Sequence, residues 1–169
     1  MTIDDIVNND VKSLLDEAII ELENIVNIIE IFGATSRPAP YMNKYAVIKA
    51  CGSIERAFKI IISDFLQSHT NNDSLKSFIN INIRESSKNP SYDNIMSTLK
   101  DVDIELKNNF KFQINTLDDK ELVLDSLKSL VQDRNNLAHG GSPTVTAHQV
   151  VNYFKNAVIV IVILNQVCS

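Results

Sequence analysis

Glycine and proline are scarce in this chain and come in clusters. The sequence holds four of each, and seven of those eight residues fall at Gly33 to Pro40, at Pro90 and at Gly140 to Pro143. These two residues are the strongest interrupters of regular backbone. Their clustering leaves long stretches with no local reason to break, which is the punctuation of a helical protein.

Apolar periodicity fills those stretches. From Val11 to Phe32 the apolar residues Val11, Leu14, Leu15, Ala18, Leu22, Ile25, Val26 and Ile29 recur on one face of a 3.6-residue period. Gly33 is placed to cap that helix, and Pro38 and Pro40 do not continue it. A second helix is expected from about Asn43 to Gln67, with Val47, Cys51, Ile54, Phe58, Ile61 and Phe65 as its buried stripe. Gly52 lies inside it at a cost of up to ~1 kcal/mol against alanine, and close approach of another backbone is the expected compensation. Leu75 to Ile83 reads as a shorter helix. Asn89-Pro90 then makes a helix start, with Asn89 as N-cap and Pro90 at the first position, and that fourth helix is expected to run to about Asn109.

The alternation Phe110-Lys111-Phe112-Gln113-Ile114 suits an extended connector that tucks two rings against the bundle. Asp118 and Glu121 supply an acidic first turn for the next helix, in which Leu124, Leu127, Leu130 and Val131 face the core. Thr146 and Gln149 match a capping box. The last helix carries Val150, Phe154, Val158, Ile161, Val162 and Val167 inward, and its run from Ala157 to Leu164 is apolar nearly all round. That helix is either central in the bundle or half of a dimer interface. The expected fold is an all-α, up-and-down bundle of about five to six helices, one domain over residues 1–169.

Composition narrows the functional classes. A chain of 169 residues is long enough to bury roughly 70% of the surface its unfolded form exposes, so it needs no staple. Cys51 and Cys168 lie far apart and suit neither a disulfide framework nor a zinc site. The opening Thr2-Ile3-Asp4-Asp5 carries acids where an export signal carries bases. The longest purely apolar run is far short of the ~20 residues of a membrane span, so a soluble, cytoplasmic protein with no membrane partner is expected. A net charge of −5 means that any polyanion must be met by a local basic patch.

His69, His139 and His148 form no close ligand pair and no C-x-x-C occurs, so no metal is expected. The glycine spacings of a phosphate loop or a dinucleotide fingerprint are missing, and no other cofactor is indicated. What remains is Arg134 and His139. The arginine forks toward phosphate oxygens, and the histidine titrates near neutral pH as a general base or acid. Five steps of a regular helix put them ~140° apart; they converge only if the last turn distorts, which Gly140 and Gly141 would permit. The plain alternative is a solvent-facing arginine and a dipole-stabilised histidine at a helix end.

The segment Arg134-Asn135-Asn136-Leu137-Ala138-His139-Gly140, near the end of the penultimate helix, resembles the signature of the HEPN superfamily. There an arginine, usually followed by a polar residue, precedes a histidine with four to six positions between them, and here four intervene with Asn135 as the polar residue. The helix order and the segment Tyr45 to Glu55 look most like the RiboL-PSP-HEPN branch. The resemblance implies an endoribonuclease that needs no metal, acting as a toxin or in antiviral defence. On RNA, His139 would move the proton, Arg134 would stabilise the phosphoryl charge, Asn135 would orient phosphate or imidazole, and the product would end in a 2′,3′-cyclic phosphate. It also implies a homodimer, through the last helix and the motif helix, and an antitoxin or defence-system partner. One HEPN subgroup is modified on a tyrosine two residues past the histidine; that position here is Gly141.

Glu55 lies off the apolar stripe of its helix and is placed either to orient Arg134 or His139 or to be a solvated surface acid. Lys44, Arg56 and Lys59 are candidates for guiding RNA, or simply the wet face of the helix. The rival function is a non-catalytic HEPN-type bundle that binds RNA, a nucleotide or a protein partner.

Overall fold

The computed structural model describes residues 1–169. Seven α-helices follow a short 3₁₀ turn at Ile3–Asp5: α1 (Asn9–Phe32), α2 (Ala39–Ser68), α3 (Asp73–Ile79), α4 (Tyr92–Val102), α5 (Ile104–Asn115), α6 (Lys120–Ala138) and α7 (Ala147–Val167), with a π-helical turn at Asn80–Arg84 after α3. There are no strands. The all-α expectation holds, with one helix more than the upper expected count.

α7 runs through the centre and packs on α1, α2, α5 and α6. Its run from Ala157 to Leu164 is buried apart from half-buried Ile159, inside a single cluster of 38 apolar residues. The helix is long and apolar enough for a membrane span by composition, but 61% of its most apolar window is covered by the rest of the bundle. The choice left open by its composition resolves to the central position. The chain's own core already covers most of the apolar surface of this helix.

α1 buries Val11, Leu15, Ala18, Leu22, Ile25 and Ile29, the spacing its periodicity predicts. It ends where Gly33 adopts φ +89° and donates its backbone N–H to the Ile29 carbonyl at 2.8 Å. α2 starts earlier than expected: Pro38 is its N-cap and Pro40 sits in its first turn, where a missing N–H costs nothing. The capping box of Thr146 and Gln149 opens α7.

Two expectations fail between α3 and α6. Ser91, not Asn89, caps α4 and accepts from the Asn94 N–H, and the helix stops at Val102. Asp103, extended at φ −160°, ends α4 and caps α5 by accepting from the Glu105 N–H. The supposed connector is the second half of α5. Phe110 and Ile114 stand four residues apart on its inner face and are both fully buried, whereas Phe112 points outward and is 67% exposed. Only one of the two rings is tucked in.

Candidate functional site

α2 and α6 lie side by side, and between them opens a cleft of about 610 Å³. α6 contributes Arg134, Leu137 and Ala138, whose three- and four-residue spacing puts them on one helix face. α2 contributes Ile48, Gly52, Glu55, Arg56 and Lys59 from its facing side, and the segment Arg84–Ser86 closes one wall.

Arg134 is fixed on both sides. Its guanidinium lies 3.8 Å from Glu55 Oε2 and donates to Asn135 Oδ1 at 3.4 Å, while its side chain keeps 40% of its surface in solvent. Glu55 therefore does reach the motif arginine across the bundle. Its other oxygen accepts from Lys59 Nζ at 2.5 Å. Lys59 is buried and also donates to the Ser86 carbonyl, so it does not lie on a wet face of the helix. Arg56 is exposed on the cleft wall, as a phosphate contact requires; Lys44 is half-buried and lies outside the lining.

Gly52 is corrected as well. A Cβ built there meets nothing within 4 Å, so no backbone packs against it and the glycine instead leaves the cleft floor low.

His139 stands apart from the cleft. α6 stays regular through Ala138, and the His139 N–H still bonds the Asn135 carbonyl at 3.2 Å. Only then does the chain turn: Gly140 at φ +82° donates to Leu137, and Gly141 donates to Asn136 at 2.8 Å, the paired bonds of a Schellman end. The glycines bend the backbone after the histidine. The imidazole is exposed and outside the lining. Within one chain, Arg134, Asn135 and Glu55 are brought together, and His139 is exposed at the end of the same helix.

Asp133 and Arg84 have structural parts that the sequence reading missed. Asp133 is buried and accepts from the backbone N–H of Thr144 at 3.2 Å, tying the loop after the glycine pair back to α6. Arg84 donates to Ser63 Oγ at 2.9 Å and pairs with Asp64, which holds the cleft wall on α2. An aspartate one residue before the motif was a signal in plain view; Arg84, fifty residues upstream of the motif, left none. Beside Arg134, burial pushes the Cys51 thiol up to about 12, against a lowering by the guanidinium, so this cysteine is no nucleophile. No group of three or more His, Cys, Asp or Glu is arranged to hold a metal ion.

No curated protein and no solved structure matches the chain. The family model for RiboL-PSP-HEPN matches residues 13–169, which takes in α1 after its first turn, every later helix and the whole of the cleft. HEPN domains are helical modules of the RNase or nucleotide-binding type. With that match running over an all-helical bundle, and with an arginine and a histidine at the end of its penultimate helix, the chain belongs to the RiboL-PSP-HEPN family.

Proposed function

We propose that the protein is a metal-independent endoribonuclease of the toxin or antiviral-defence type. The observation that carries this reading is Arg134, held by Glu55 and Asn135 at the wall of an open cleft with part of its fork free in solvent. A guanidinium fixed in that way suits the charge that builds on a phosphodiester when a neighbouring hydroxyl attacks.

In the proposed reaction the 2′-hydroxyl of the substrate attacks the adjacent phosphorus, and the P–O5′ bond breaks. The nucleotide upstream keeps a 2′,3′-cyclic phosphate and the downstream fragment leaves with a 5′-hydroxyl. His139 takes the hydroxyl proton or gives one to the leaving oxygen. Because His139 stands off the Arg134 face of its own chain, two copies paired through their α6 ends supply arginine and histidine to one linkage. Any antitoxin or defence partner would act on that assembly without using a side chain at position 141, which is Gly141.

The test is cleavage of single-stranded RNA in the presence of a chelator, with analysis of the new ends. His139→Ala is expected to lower the rate by ~10²–10⁴ with no loss of stability, since the ring is exposed. Equal cleavage by that variant would end the proposal. The second reading, a module that binds RNA, a nucleotide or a protein partner without cutting RNA, is favoured by the absence of His139 from the cleft lining. Its signature is binding with intact strands, unchanged by the same substitution.

A further inference from the structure

The α2 face that floors the cleft continues beyond it. Tyr41, Tyr45, Ile48, Gly52 and Arg56 follow one another at spacings of four, three, four and four, and at 100° per residue all five fall within an arc of about 80°. Ile48, Gly52 and Arg56 line the cleft. The two tyrosines extend the same face toward the helix start, with rings about one turn, ~6 Å, apart along the axis.

These rings cover no core. Tyr41 is 73% exposed, Tyr45 47% and Ile48 53%. Yet Tyr45 is held in place, because its phenol donates to Glu21 on α1 and Glu21 is paired with Lys49. Along α2 the two tyrosines precede Ile48, Gly52 and Arg56 on one face, and the cleft that these three line also holds Arg134. Aromatic rings in series with cations are the two parts that single-stranded nucleic acids require: flat surfaces for bases, positive charge for phosphates. The match in charge matters in a chain of net charge −5, where attraction for a polyanion has to be local.

We propose that Tyr41 and Tyr45 form a stacking platform for unpaired bases of a single-stranded RNA whose phosphates are held in the cleft by Arg56 and Arg134. This rests on the reading of the cleft as an RNA site, and it names the substrate as unpaired next to the scissile linkage. Duplex RNA keeps its base faces covered and cannot use the platform.

The experiment uses the full chain and a short single-stranded RNA carrying 2′-O-methyl groups throughout, which removes the attacking hydroxyl and separates binding from cleavage. The protein has four tyrosines and no tryptophan, so its intrinsic emission is that of tyrosine and a stacked base quenches it directly. Wild-type protein is expected to bind with quenching. Tyr41→Ala and Tyr45→Ala are each expected to bind roughly tenfold more weakly, Tyr45→Phe to keep the affinity within about twofold because a ring remains, and duplex RNA of the same sequence to cause no quenching. Affinity and quenching unchanged in the Tyr41→Ala/Tyr45→Ala double variant would overturn the platform. So would a double variant that binds RNA as tightly per chain but changes its oligomeric state, which would make this face an interface between copies. If unmodified RNA is cut while the variants bind like wild type, the platform fails and the nuclease reading stands. Tyrosine-dependent binding without cleavage by wild type keeps the platform and removes the nuclease. A wild-type protein that binds no RNA removes both.

Discussion

Glu55 serves two cations of unequal exposure. Lys59 keeps 8% of its side-chain surface in solvent and sits 2.5 Å from the carboxylate, whereas Arg134 keeps 40% and sits at 3.8 Å. Exposed ion pairs contribute little, and buried ones are costly to break from one side. The energetic partner of Glu55 is therefore Lys59, and what Arg134 gains is orientation. Glu55→Ala strands a buried ammonium on a single carbonyl, that of Ser86, and is expected to cost about 3–5 kcal/mol in denaturant unfolding. Glu55→Gln keeps an acceptor for Lys59 and is expected to cost clearly less. An alanine variant as stable as wild type would mean that Lys59 finds water or another acceptor. The sequence placed Glu55 off the apolar stripe and so within reach of Arg134, but read Lys59 as wet. The carbonyl that covers Lys59 belongs to Ser86, twenty-seven residues along the chain, and no local pattern announces that contact.

Several helix ends were legible, because a cap is a short-range event, although the cap expected at Asn89 falls at Ser91. Gly33, Thr146 and Gln149 act where their residue types predict. The Phe110–Ile114 stretch misled for the opposite reason: five residues of apolar-polar alternation fit a strand, while the helical spacing of Phe110 and Ile114 is decided only by the core that receives them. The glycine pair after His139 was correctly marked as a helix end, but periodicity could not tell on which side of the histidine the backbone would turn. Gly141 makes that end sensitive. A Cβ there would lie 2.9 Å from the Asn136 carbonyl oxygen, which the Gly141 N–H also holds at 2.8 Å. Gly141→Ala has to push this end open, at an expected cost of about 1–3 kcal/mol. Faster amide exchange should appear at the C-terminal turn of α6 and leave α1 unchanged. A variant with wild-type melting and wild-type exchange there would show that the turn yields freely and does not fix His139.

At the scale of the molecule, the core that buries α7 also buries the ends of its own titration curve. Cys51 on α2 and Cys168 just after α7 are both pushed up to about 12 from a usual 9.0 by burial. In the unfolded chain these thiols ionise first, so above pH 9 the unfolded state binds fewer protons than the native one and stability falls as pH rises toward 12. Each thiol adds a slope of about 1.4 kcal/mol per pH unit while its unfolded form is ionised and its native form is not. The phenols of Tyr45, raised by its bond to Glu21, and of Tyr92, raised by burial, push the same way. The Lys49 amine, raised by its bond to Glu21, adds stability that is likewise lost as pH climbs through its folded value. Alkali is thus expected to unfold the bundle well before it breaks any covalent bond. Urea midpoints should drop steeply between about pH 9 and pH 12, and a Cys51→Ala/Cys168→Ala variant should show a shallower drop over the same interval even if it starts lower. Parallel profiles for the variant and the wild type would mean that water already reaches both sulfurs, and that α7 is less enclosed than its packing makes it.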